Sequence, residues 1–430
     1  MFKLRIIGYL LQFKWTKWIY KNRLPALKRK RMKRLMKHLQ QSPFYSDLLS
    51  QNVSFEDFPI INKAFFMENF DQINVKGIQK KDALEIAFQA EQSRDFSPEI
   101  QGITIGLSSG TSGNTGVFLV SEKERARWVA VVLDRVIGFS FRKRKVAFFL
   151  RANSNLYESA KSSILEFRFF DIFLPFQDHL DRISSFRPHI IVAQPSVLKP
   201  LADAQKKGNI QLKPEKILSV AEVLYPEDKA YLEDVFQTKV EQVYQCTEGF
   251  LGASKNGVLH INEDFIHLEK RYVDDKKERF YPIITDMLRF TQPVIRYELN
   301  DILVEKKEGT YEWPGLALER IEGRSDDTWI FQDLDGEKVR IFSDLVRRTV
   351  IKTSEKITYY MLSQTGEKQI SVYLEVKKSE DDQVAIQEAM AKNMQDLFRN
   401  FRLSPIEIIF LSELPHHAGS KLRRIRNEFI

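Results

Sequence analysis

The sequence predicts an α/β protein. It has a large N-terminal domain of parallel βαβ units with a barrel-like antiparallel part, and a small α+β domain at its C-terminal end. Three observations carry this expectation. Between residues 145 and 248, apolar runs ("KVAFFL", "FFDIFLP", "HIIVAQP", "KILSVAEVL", "VEQVYQ") alternate with stretches of helical periodicity such as 177–186 and 226–236. That alternation marks parallel strands buried on both faces. After Asn256 the runs shorten and turns crowd between them ("VLHI", "RFYPIITD", "PVIRYEL", "DILVEKKEGTYEW"). Beyond "IEGRSDD" comes a hairpin ("KITYYML", "KQISVYLEV"), then a helix with Ile386, Met390, Met394 and Leu397 on one face, then the strand "IEIIFL". At 430 residues the chain exceeds one ordinary domain. The divisions expected are an arm over 1–46, a core domain over 47–325 and a small domain over 326–430.

The arm sets the charge of the whole chain. Residues 1–46 hold thirteen Lys or Arg and no Asp or Glu, so of the net +8 the remaining 384 residues carry about −5. A basic body, the main sequence argument for nucleic-acid binding, is therefore missing. The opening "MFKLRIIGYLLQFKWTKWIY" has an uncharged apolar run of only eight residues, Ile6–Phe13, followed by Lys14 and Lys17. It is too short to span a bilayer and makes a poor signal peptide. Three readings stay open: an amphipathic segment lying on an anionic membrane surface, a basic arm meeting an acidic carrier protein, or a helix packing its apolar face on the body. Met32, Leu35, Met36 and Leu39 extend the arm as an amphipathic helix.

Residues 50–100 read as short helices and loops. Next comes "ITIGLSSGTSGNTGVFLVS" (103–121), where a loop of Ser, Thr and Gly separates two runs of strand character. Such a loop brings backbone N–H groups close to an anion. It has no Walker pattern, because no Lys lies in it and a strand, not a helix, follows. Ser121 and Glu124 stand at capping-box spacing and start a helix through about Ile137. The single cysteine, Cys246, excludes a disulfide framework and a Cys-rich zinc site, and it suits a reducing, cytoplasmic compartment.

Ligands of parallel sheets sit beyond the carboxyl ends of the strands, which singles out Ser219 to Glu222 and Gln245 to Glu248. In "YQCTEG", Glu248 can hold Mg²⁺ against phosphate oxygens, and the Thr247 hydroxyl can hold a phosphate or carboxylate. Asp301, closing "PVIRYELND", suits the two hydroxyls of a ribose; as an Asn-Asp turn it would do nothing. In "IEGRSDD", Gly323 permits a bend and Arg324 offers a planar fork of donors. "HHAGSKLRR" sets Lys421 on a Gly-Ser turn, and the adjacent His416 and His417 cannot both face one metal from a strand. With one cysteine available, a Cys–His zinc site at His260 is not expected.

In their order and spacing these stretches resemble the core motifs of the adenylate-forming superfamily, nearest to its phenylacetate-CoA ligase/CapK-like branch. "SSGTSGNTG" is similar to the family's phosphate loop S-S-G-T-T-G-K-P, and "SVAEVL" to its adenine-wall segment. "YQCTE" resembles Y-G-x-T-E, "RYELND" R-Y-x-x-x-D, "GRSDD" the hinge G-R-x-D-D, and "GSKLRR" the terminal S-G-K-x-x-R. "SPFYSDLL" and "GVLHINED" match the same branch, and the resemblance runs from about residue 42 to the end. It implies that Ser108, Ser109, Gly110, Thr111, Ser112 and Gly113 cradle the ATP phosphates, and that Glu248 holds Mg²⁺ with Thr247 near the α-phosphate. It also puts Ala221, Glu222 and Tyr244 beside adenine, and Asp301 and Arg324 on the ribose. Asp326 is then the hinge of a mobile small domain, and Lys421 bridges substrate carboxylate and α-phosphate.

The implied activity is ATP-dependent adenylation of a carboxylic acid, then transfer to the thiol of CoA or of a phosphopantetheinyl carrier protein. Two alternatives are nucleotidyl transfer to a hydroxyl or phenol, and a non-catalytic membrane-surface or partner-binding protein on a ligase scaffold. Two departures stand out: Asn114 and Thr115 replace the loop Lys and Pro, and Gly-Ser-Lys replaces Ser-Gly-Lys.

Overall fold

The computed structural model describes residues 2–20, 22–107, 116–138, 142–150, 165–307, 315–377, 380–414 and 423–429. Two compact units divide the chain: Met1–Leu299 with Leu303–Arg320, and Asn300–Ile302 with Ile321–Ile430.

Five parallel strands form one side of the first unit. Their order is Leu165–Asp171, Arg144–Leu150, Ile190–Ala193, Lys216–Ser219 and Val240–Cys246. Every residue of Ile190–Ala193 is buried, as a continuous apolar run between two layers requires. Helices Phe176–Phe186, Pro195–Lys206 and Pro226–Phe236 lie where the helical periodicity placed them. Their apolar faces join the strands in one core, in which Phe149 and Phe170 stack with ring centroids 4.5 Å apart.

Beyond Cys246 the pairing changes direction. Gly249–Lys255 turns back antiparallel beside Val240–Cys246, and antiparallel strands carry the same twelve-stranded sheet onward. The change from parallel to antiparallel falls at Thr247 and Glu248.

A separate antiparallel hairpin pairs Ile103–Leu107 with Val117–Ser121, in register from Ile103↔Ser121 to Leu107↔Val117. The pairing of these two strands agrees with the strand–loop–strand reading. Gly106 pairs with Phe118, whose ring lies where a side chain would start: a Cβ on Gly106 would stand 2.2 Å from Phe118 Cζ. Ser121 and Glu124 cap the helix Glu122–Val132, which continues to Ile137 in a wider π-helical turn.

The first forty residues are two helices packed on this unit. Phe2–Tyr20 buries Ile6, Phe13 and Thr16, and Leu24–Leu39 buries Leu35 and Leu39 completely. Part of the basic charge is matched locally. Lys28 pairs with Glu263 at 2.8 Å, and Arg31 donates to the Asp264 carbonyl at 2.7 Å.

The second unit has its own core of Trp329, Phe331, Leu362, Val372, Met390 and Phe398, among others. Its sheet runs Glu407–Phe410, Gln369–Val376, Ile357–Gly366, Ile425–Asn427. The hairpin and the helix Glu380–Asn400 follow the sequence reading, and Ile386, Met390 and Met394 face the core.

Candidate active site

The turn that follows Val240–Cys246 lines a cleft within the first unit. Thr247 and Glu248 line it together with Gly116, Val117 and Phe118 from the exit of the Ser/Thr/Gly loop. Two stretches more than a hundred residues apart in sequence, both singled out for phosphate chemistry, thus meet at one opening. Ser108, Ser109, Gly110, Thr111, Ser112, Gly113 and Asn114 lie outside the described residues, as does Lys421.

The Thr247 hydroxyl donates to Glu248 Oε2 at 2.8 Å. Tyr297 hydrogen-bonds the same carboxylate from a buried position, and burial together with the Glu248 charge pushes its phenol far above the usual range. Tyr297 therefore stays protonated and donates. Glu248 is held from two sides as an acceptor, with its remaining lone pairs available toward the cleft.

Arg289, itself buried, donates to the Thr247 carbonyl at 2.7 Å and reaches Gln292 Oε1 at 3.3 Å. Gln292 Oε1 in turn accepts from Leu119 N at 3.0 Å. This chain of bonds fastens the hairpin strand Val117–Ser121 to the Thr247 turn.

Glu124 strengthens the same junction. Its carboxylate accepts from Ser121 N and Oγ, as a capping box does, and also from Phe290 N (2.6 Å), Thr291 N (2.8 Å) and Thr291 Oγ1 (2.5 Å). Burial works to raise its pKa, but the five donors outweigh it and hold the carboxyl below its usual range. Beneath the turn lies Asp286, buried, with Oδ2 only 3.2 Å from where a Cβ on Gly249 would sit. Burial pushes its carboxyl up to about 6.

The third wall comes from the segment around Lys63. Ile61 bridges to Tyr297, with Ile61 N donating to Arg296 O and Glu298 N donating to Ile61 O. Asn62 then caps the short helix Lys63–Glu68, with its Oδ1 accepting from Phe65 N at 3.0 Å. This puts Lys63, Phe66 and Met67 at the cleft. Arg289 and Lys63 carry no motif, and Tyr297, the Tyr of "RYELND", was not expected at the Glu248 carboxylate. The Ile61–Tyr297 pairing helps bring residue 63 to the cleft.

Other expected residues have definite places. Tyr244 is buried in the middle of its strand. Glu222 caps the helix Pro195–Lys206, taking Ser196 N at 3.1 Å and Ser196 Oγ at 2.9 Å. Ala221 has a left-handed backbone (φ +67°) inside a three-residue turn closed by Glu222 N donating to Val220 O. That conformation costs an alanine about 1 kcal/mol or more. Arg296, the Arg of "RYELND", is structural: it grips both Glu269 oxygens and donates to the carbonyls of Glu56 and Phe58.

In the second unit Asp301, Arg324 and Asp326 are close neighbours. Ser325 N donates to Asn300 O, Asn300 Nδ2 donates to Asp326 Oδ2 at 2.7 Å, and Arg324 lies 3.5 Å from Asp326. Asp326 is exposed, while Asp327 is buried against Arg423 at 2.7 Å. Burial lifts the Asp327 carboxyl to about 6 despite that arginine.

No protein-family sequence model matches the chain, and neither does any curated protein sequence. Solved structures do. A 2-hydroxyisobutyryl-CoA ligase in its postadenylation state, in complex with 2-HIB-AMP, superposes with a TM-score of 0.67 at 15% identity. The match covers 95% of this chain and 90% of that one. The anthranilate CoA ligase AuaEII with anthranoyl-AMP matches at a TM-score of 0.52 and 15% identity, over 74% of this chain and 66% of that one. The amide bond synthetase McbA of Marinactinospora thermotolerans gives 0.51 at 11% identity, over 73% and 66%. The chain therefore has the fold of the adenylate-forming ligases. Among the described residues no helix is long and apolar enough to cross a membrane, and no group of three or more His, Cys, Asp or Glu could hold a metal.

Proposed function

We propose that this chain uses Mg-ATP to adenylate a carboxylic acid, releasing pyrophosphate, and then passes the acyl group to a thiol of CoA or a carrier protein. The observation that carries the reading is the meeting of Thr247 and Glu248 with the loop exit Gly116–Phe118 in one cleft, on the fold of ligases whose solved complexes hold acyl-AMP. The motif order supports the phenylacetate-CoA ligase/CapK-like branch.

The donor set suits magnesium as nucleotide enzymes use it. One carboxylate, Glu248, faces the cleft, and a hard cation that keeps its waters needs one or two carboxylates plus substrate phosphate oxygens. Bound there, the ion would neutralise phosphate charge. The chain's own residues do the rest. Tyr297 and Thr247 orient the Glu248 carboxylate, and Arg289 holds the turn that carries both.

A carboxylate attacking an α-phosphoryl group brings anions together, so catalysis is positioning and charge neutralisation. With Asn114 where a loop lysine is expected, Lys63 and Arg289 are the described cations lining the cleft. Lys421 would bridge the acid's carboxylate and the α-phosphate, Asp301 and Arg324 would hold ribose, Ala221, Glu222 and Tyr244 would flank adenine, and Asp326 would act as hinge.

The decisive measurement is ATP–pyrophosphate exchange against a panel of aryl and fatty acids. One class of acid should stimulate exchange. Lys421→Ala should abolish that stimulation while largely sparing thioester formation from supplied acyl-adenylate. A panel with no active acid would sink adenylation, and unchanged exchange in the variant would remove Lys421 from the reaction.

A further inference from the structure

The helix Phe2–Tyr20 has two apolar faces, and only one of them is used. Ile6, Phe13 and Thr16 are buried against the body. On the opposite side Leu4, Ile7, Leu11, Trp15 and Trp18 are 73, 54, 61, 64 and 78% exposed. At 3.6 residues per turn these five fall within about 80° of the circumference and form a stripe about 21 Å long. A helix apolar on all sides belongs in an apolar environment, so a stripe of this kind marks a surface meant to be covered.

Charge decides what covers it. Lys3 and Lys14 run along one edge of the stripe and are exposed, and the next helix adds exposed Arg29, Lys30, Lys33 and Lys37. Residues 1–46 contain no acid to offset them. A second copy of the chain would bring the same lysines against these, which opposes self-association through this face. The stripe is a convex ridge rather than a groove, and its two indoles sit where interfacial aromatic rings settle, with an apolar body and a polar N–H.

We infer that this face of the N-terminal helix docks the protein on an anionic lipid bilayer. The helix lies in the plane of the interface, with Leu4, Ile7, Leu11, Trp15 and Trp18 in the acyl boundary and the lysines among the headgroups. The inference is independent of the activity proposed above, and its test reads binding alone.

The full chain is mixed with vesicles of phosphatidylglycerol and phosphatidylcholine in equal parts, and with phosphatidylcholine alone. The expected result is sedimentation with the anionic vesicles only, weakening with salt, and quenching of tryptophan fluorescence by brominated acyl chains. Trp15→Ser with Trp18→Ser should lower the affinity about tenfold or more and remove the quenching. Each of Lys3→Gln and Lys14→Gln should lower it roughly fivefold. All four positions are exposed, so the melting temperature should not move.

Several results overturn the inference. They are no sedimentation, equal sedimentation with both vesicle types, binding that the tryptophan double variant retains, or a solution dimer that this variant dissociates. Binding of the same face to an acidic protein, with no affinity for the anionic vesicles, overturns it as well.

Discussion

Two neighbouring strands of the parallel sheet end in the same way and are used differently. Lys216–Ser219 is followed by Val220, Ala221 and Glu222, and Val240–Cys246 by Thr247 and Glu248. Each end delivers a glutamate just past the carboxyl edge. At the first, the carboxylate is consumed by the N-terminus of an adjacent helix through Ser196, and the backbone before it is strained at Ala221. At the second, the carboxylate is steadied by Thr247 and Tyr297 but still faces a cleft, with cations on its walls. The position past a strand end selects the edge where ligands bind. What lies opposite decides whether a carboxylate there supports the chain or meets a ligand.

The largest effect expected from breaking this contrast is at Glu248. Glu248→Gln keeps the shape and removes the charge, and acid-dependent pyrophosphate exchange should fall by on the order of 10²–10³. Its melting temperature should barely move. An unfolded variant, or one with full exchange, would erase the distinction between the two strand ends.

The next effect lies in the support beneath that turn. Burial raises the Asp286 carboxyl to about 6, so the folded protein holds its proton more tightly than the unfolded chain, where Asp titrates near about 4. Between those values the folded state binds more protons, and stability therefore falls as pH rises from about 4 to about 6. Asp327 adds a slope of the same sign in the second unit. Asp286→Asn should flatten the slope and stabilise the protein by about 3 kcal/mol at pH 8. Chemical denaturation at pH 4.5 and pH 8, conditions on either side of about 6, checks both sign and size. A variant as steep as the parent would show that Asp286 stays ionised.

The smallest effect sharpens the comparison from the other side. Glu222→Gln should cost about 1 kcal/mol, through weaker bonds to Ser196 and a lost charge at a helix N-terminus. Exchange should drop by less than about tenfold. A loss matching that of Glu248→Gln would mean that Glu222 meets the ligand with its carboxylate after all.

The sequence makes much of the fold legible because burial on one or both faces leaves a period behind. Parallel strands over 145–248, the helices at 176–186 and 226–236, the hairpin after residue 356 and the capping box at Ser121 all carry such local marks. The Ser/Thr/Gly loop and the Thr247–Glu248 turn could be picked out for the same reason, since each needs particular residue types at fixed spacing.

Only tertiary structure decided what the long-range partners would be. Glu124 reads as a helix cap, yet three of its five donors come from Phe290 and Thr291, more than 160 residues away in sequence. Arg296 reads as part of a nucleotide motif and instead braces the 56–58 segment. Lys63 and Arg289 have no motif at all, and the motif that holds Tyr297 does not foretell its bond to Glu248; the three reach the cleft with the help of one bridge and two side-chain bonds. The arm shows the same division. Its sequence determined that it would be helical, basic and apolar, but not which apolar face the body would take. Periodicity reports that a residue has a buried side. Which element fills the space opposite depends on the path of the whole chain, and no local pattern encodes that.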